Sequence, residues 1–125
     1  MDKPKVVIVD DDEDMLEELR ETMDMNGYDV ETVREAAVAV QVIERSRPDV
    51  VLLDLRMQRK GGVEIADELS RNPDTSGIPV VVMTAVCSTE ELERLNGLGV
   101  VAGIVTKPFA ISEIVTKVEE VRRLR

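Results

Sequence analysis

Asp10, Asp11, Asp54, Thr84 and Lys107 are the residues whose types and settings could do chemistry together. Each follows or closes a short apolar run: the first two in "VVIVDDDED", Asp54 in "DVVLLDLRM", Thr84 in "VVVMTA" and Lys107 in "TKPF". Carboxylates gathered in one place repel each other, and at neutral pH they need a shared proton or a cation. The chain has no histidine and a single cysteine, Cys87, so oxygen is the available metal ligand and the donor set favours Mg²⁺, with Mn²⁺ as the other candidate. Three carboxylates would be balanced in formal charge by one divalent cation and Lys107, leaving one carboxylate free to react. Asp12, Glu13 and Asp14 need no such role, because acids at the start of a helix are favoured by its dipole.

For these residues to meet, the apolar runs must lie side by side. Val6 to Val9, Val50 to Leu53 and Val80 to Met83 are continuous and rich in β-branched residues, which predicts strands covered on both faces. Ile104 to Val105 is a weaker fourth run, and Tyr28 to Val33 alternates like an edge strand. Between them lie helical stripes: Met15, Leu16, Leu19 and Met23, closed by Asn26-Gly27; Ala36, Ala37, Val40 and Ile43, ending before Pro48; Ile65, Ala66 and Leu69; Leu92 and Leu95 behind a capping box at Ser88 and Glu91; and Ile111, Ile114, Val115, Val118 and Val121. Five strands alternating with five helices predict a doubly wound, mostly parallel α/β sheet in one domain spanning 1–125. Such sheets bind ligands at the carboxyl ends of their strands, where all five residues fall.

Composition narrows the possibilities further. Aromatic residues are 2% of the chain, so the core must be aliphatic. A formal net charge of −10 opposes a direct grip on phosphate backbones, so nucleic acid is not an expected direct partner. One thiol without histidine makes neither an internal disulfide nor a Cys-His nucleophile, and Cys87 reads as a small, partly buried residue. No apolar run approaches the roughly 20 residues of a membrane span, which predicts a cytoplasmic protein without membrane contact.

The four segments quoted above resemble, in order and separation, the signatures of the response-regulator receiver domain, and the resemblance covers essentially the whole chain. It implies a five-stranded, flavodoxin-like parallel sheet in the order 2-1-3-4-5. It further implies that Asp54 accepts a phosphoryl group from a sensor histidine kinase or a phosphotransfer protein, in a signalling domain that assists its own phosphotransfer rather than an enzyme. Asp10 and Asp11 would organise Mg²⁺ with Asp54 and the backbone carbonyl of Arg56, Thr84 would hydrogen-bond the phosphoryl oxygens, and Lys107 would pair with them. Pro108 would follow a cis peptide. The face of the fourth helix, fifth strand and fifth helix would carry the signal to a downstream target or output domain.

The sequence also departs from that family's pattern. Ile104 stands where an aromatic residue commonly turns inward on activation, and an aliphatic side chain has no ring to swing. Gln58 replaces a common proline, and Arg59 and Lys60 make that loop basic. Ala85 is small enough to admit a phosphoryl group, while apolar Val86 cannot orient an attacking water, which predicts a moderately to long-lived phosphorylated form. Three other readings compete. Asp10-x-Asp12 after a strand suits a haloacid-dehalogenase phosphatase, although Asp14 breaks that pattern. Asp10, Asp12, Asp14 and Glu21 match calcium-loop positions, although Met15 occupies the glycine position. The third is a receiver-shaped module that signals without phosphorylation.

Overall fold

The computed structural model describes residues 3–57, 61–85 and 88–123. Five strands alternate with five helices: β1 (Lys5–Val9), α1 (Glu13–Met25), β2 (Asp29–Val33), α2 (Ala36–Ser46), β3 (Val50–Asp54), α3 (Gly62–Arg71), β4 (Val80–Thr84), α4 (Thr89–Asn96), β5 (Val101–Thr106) and α5 (Ile111–Arg123). The sheet runs β2-β1-β3-β4-β5, and every neighbouring pair is parallel. This is the predicted doubly wound, flavodoxin-like order.

Alternation of side chains along each strand divides the aliphatic residues between two cores. Val7, Val9, Val51, Leu53, Val80 and Val82 pack with residues of α2, α3 and α4. Val6, Ile8, Val50, Leu52, Val81 and Met83 face the other way, onto α1 and α5. Because both faces are covered, β1, β3 and β4 read as unbroken apolar runs, whereas the edge strands β2 and β5 are mixed.

The helix boundaries follow local chemistry. Asp12 caps α1, its side chain accepting from the Asp14 and Met15 amides, and Gly27 takes the positive φ of 91° beyond the other end. Ser88 and Glu91 form the expected capping box of α4. Three details differ from the sequence reading. Ala39 rather than Ala37 is buried on α2, because the helix turns that face toward the sheet. On the two-turn α4 only Leu95 is buried, and Leu92 is exposed. β5 begins at Val101, earlier than its apolar run, because ladder pairing with β4 carries Ala102 and Gly103 through a register shift opposite Val80 and Val81. Among the described residues no helix is long and apolar enough to cross a membrane.

Candidate functional site

Strand register brings the carboxyl ends of β1, β3 and β4 level. Leu55 donates its N–H to the Met83 carbonyl (3.0 Å), and Lys107 donates its N–H to the Thr84 carbonyl (2.7 Å), so the loop after each strand stays tied to its neighbour. Asp10 directly follows β1 and still donates to the Val33 carbonyl of β2 (3.0 Å). The Lys107–Pro108 peptide is cis, as the resemblance implied.

At this end of the sheet Asp10, Asp11 and Asp54 each offer a carboxylate oxygen, all within 4.8 Å of one another, and Asp11 is the most open to solvent. Asp54 is 3% exposed and Asp10 is fully buried. Asp54 Oδ1 accepts from the Lys107 ammonium at 3.3 Å and from the Arg56 N–H at 3.4 Å. Asp10 Oδ1 accepts from the Asp12 N–H at 3.0 Å, whereas its Oδ2 is buried with no hydrogen-bond partner. Two ionised carboxylates share no hydrogen, so this orphaned oxygen is satisfied by a proton or by a cation. Burial is the main cause that raises the Asp10 pKa to about 6; the charge of Asp54 adds to it, while the Asp12 N–H and Lys107 oppose it. An all-oxygen donor set with a buried, unpartnered carboxylate oxygen fits a hard divalent cation.

Thr84 ends β4 and is 1% exposed, and the small Ala85 beside it is exposed. The structure thus brings together the carboxylates of Asp10, Asp11 and Asp54, the Lys107 ammonium and the Arg56 amide, with Thr84 closing the neighbouring strand. Ile104 is half-buried against the core containing Leu95 and Val100. Asp12 caps α1, and Asp14 and Glu21 are exposed residues within it, so the calcium-loop spacing falls on a helix rather than a loop. Gln58, Arg59, Lys60, Val86 and Cys87 lie outside the described residues.

Residues 6–119 match the family model of the response regulator receiver domain. The chain belongs to this family. The phosphatase and calcium-loop readings fall with that assignment. The domain is 35% identical over 120 residues to the response regulator MprA of Mycobacterium sp. (strain KMS), covering 95% of this chain and 50% of that protein. It therefore spans about half the length of the curated relatives it matches. Among solved structures, a CheY-like receiver domain protein from Methanospirillum hungatei superposes with a TM-score of 0.91 at 21% identity, covering 98% of this chain and 96% of that one. The chemotaxis protein CheY4 of Vibrio cholerae gives a TM-score of 0.88 at 24% identity, covering 96% and 99%. Both similarities are at the level of fold.

Gly62 and the side chain of Arg56 carried no obvious sequence signal of their role at the site. A Cβ on Gly62 would lie 2.5 Å from the Asp54 carbonyl oxygen and 2.7 Å from the Leu55 Cα, so only glycine lets α3 start against the acid-bearing strand end. The Gly-Gly doublet was the available hint. The second is Arg56, whose guanidinium reaches across to Glu91 on α4 at 2.8 Å. In the sequence Glu91 reads only as a capping residue.

Proposed function

We propose that this domain accepts a phosphoryl group on Asp54 in a reaction that depends on Mg²⁺ and switches its protein contacts through Thr84 and Lys107. The observation that carries the reading is the joint placement of three carboxylates with a lysine on Asp54 and an unpartnered buried oxygen on Asp10. The donor would be a sensor histidine kinase or a phosphotransfer protein. In the transfer, an Asp54 carboxylate oxygen bonds to phosphorus while the bond from phosphorus to the donor's imidazole nitrogen breaks, its electron pair staying with the nitrogen. Asp10, Asp11, Asp54 and the Arg56 carbonyl would hold Mg²⁺, or Mn²⁺ in its place, whose charge when bound offsets that of the transferring group.

The rest of the chemistry falls to the chain's own residues. Transfer spreads negative charge over the equatorial oxygens, so positioning and fixed positive charge do most of the work. Lys107, already 3.3 Å from Asp54, supplies that charge without a large movement. Thr84 closes the neighbouring strand and has the hydroxyl to donate to one oxygen. The whole span 1–125 would act as this one domain, in the cytoplasm, with no membrane and no direct nucleic-acid contact. A downstream target or output domain would bind the face of α4, β5 and α5. Half-buried Ile104 on that face leaves room for a module that works by contact alone, which the following experiment separates.

Intact mass after incubation with acetyl phosphate, with and without Mg²⁺, decides the matter for wild type and Asp54→Asn. One phosphoryl adduct that needs both Mg²⁺ and Asp54 is expected. Folded, Mg²⁺-binding protein that forms no adduct would overturn the reading in favour of the contact-only module.

A further inference from the structure

Arg56 touches both Asp54 and the start of α4. Its N–H lies 3.4 Å from Asp54 Oδ1, and its Nη2 lies 2.8 Å from Glu91 Oε1. That same Glu91 oxygen accepts the Ser88 N–H at 3.2 Å, completing the α4 capping box, while Ser88 Oγ accepts the Glu91 N–H at 3.1 Å. One guanidinium therefore leans on the oxygen that closes the start of α4. Glu91 is shifted below the usual carboxylate range, first by the Ser88 N–H and further by Arg56, as expected of an oxygen serving both.

We propose that Arg56 is a two-position cation that couples Asp54 to α4: it rests on Glu91 while Asp54 is unmodified and turns to the phosphoryl oxygens once Asp54 is phosphorylated, loosening the first turn of the helix. The idea rests on the phosphoacceptor reading of Asp54. Charge gives the direction. A phosphoryl group brings three acceptor oxygens and more negative charge than the single carboxylate of Glu91, and a guanidinium binds such oxygens in a two-pronged fashion. Space permits the move, because Asp11, Arg56, Met57, Glu64, Glu91 and Arg94 line one open cavity of about 460 Å³ between the acid site and α4. The Arg56 side chain is 56% exposed to solvent. Arg94 lines the same cavity. Such a device requires no aromatic ring on β5 and is compatible with Ile104.

Hydrogen exchange of the Glu91 and Leu92 amides tests this, since Glu91 N–H bonds Ser88 Oγ and Leu92 N–H bonds the Ser88 carbonyl. Exchange is followed by NMR in wild type and Glu91→Gln, with and without acetyl phosphate and Mg²⁺, and intact mass of each sample reports the adduct. The substituted glutamine keeps an oxygen for the Ser88 amide but lacks the charge that holds Arg56. In wild type, phosphorylation should speed exchange at the two amides about threefold, the scale of losing one exposed ion pair. In Glu91→Gln exchange should start near the faster value and change little on phosphorylation. An adduct on wild type with unchanged exchange overturns the coupling alone, as does an equal response in Glu91→Gln. No adduct overturns the phosphoacceptor reading and the coupling with it.

Discussion

Asp10→Asn should make the metal-free domain more stable while abolishing its response to Mg²⁺. Asp10 is fully buried, has one oxygen without a partner, and has its pKa raised from 3.8 to about 6. A folded-state pKa above the unfolded value means that the native state holds its proton more tightly. The associated stability is therefore complete below about pH 4 and is lost as pH rises through about 6. Ionising Asp10 at pH 7.5 thus costs about 3 kcal/mol. Asparagine cannot ionise, keeps an oxygen for the Asp12 N–H and offers an amide hydrogen toward Asp54. Allowing for imperfect replacement, the variant should gain about 2 kcal/mol, a rise in Tm of roughly 6 °C for a chain of this size. Thermal melts at pH 7.5 and pH 4, with and without Mg²⁺, read all of this. Without metal the gain should appear at pH 7.5 and shrink toward zero at pH 4. With millimolar Mg²⁺ the wild type should rise in Tm and the variant should not. A variant less stable than wild type at pH 7.5 without metal, or a gap that does not close in acid, would refute the assignment of Asp10 as a strained, cation-seeking carboxylate.

Gly62→Ala forces a Cβ to within 2.5 Å of the Asp54 carbonyl oxygen, a backbone atom that has no rotamer to escape by. It should cost about 3 kcal/mol in urea unfolding and weaken Mg²⁺ binding, because relief requires the acid-bearing strand end to shift. Tyr28→Phe removes a hydroxyl that donates to Glu119 at 3.0 Å and accepts from Arg122 at 3.1 Å. The loss should be about 1 kcal/mol by urea titration, with Mg²⁺ affinity unchanged, since the ring stays buried and the contact lies remote from the acids.

Local rules worked where partners are close in sequence. Asp12 as the cap of α1, Gly27 in its left-handed turn and the Ser88–Glu91 box each involve neighbours a few residues apart, so chain connectivity alone brings them together. The unbroken runs of β1, β3 and β4 were legible because strands covered on both faces admit no polar residue until they end. Their ends were therefore marked by Asp10, Asp54 and Thr84. Local rules failed where a helix chooses its face. Ala37 and Ala39 are equally small and apolar, and only the sheet beneath α2 selects Ala39. Leu92 and Leu95 fit one stripe, yet α4 buries only Leu95.

For the site itself, residue types and their positions after apolar runs determined which groups could act: three acids, a threonine and a lysine at strand ends, with only oxygen to offer a metal. Tertiary structure decided how they interact. Parallel register brings the ends of β1 and β3 level so that the three acids offer oxygens within 4.8 Å of one another, burial orphans Asp10 Oδ2 and raises its pKa, and the close approach of α3 demands glycine at Gly62. The reach from Arg56 to Glu91 belongs with these, because it joins residues on different elements. The division has a single physical origin: residue type sets what a side chain can donate, accept or ionise, while solvent exclusion and distance arise only when separate segments pack.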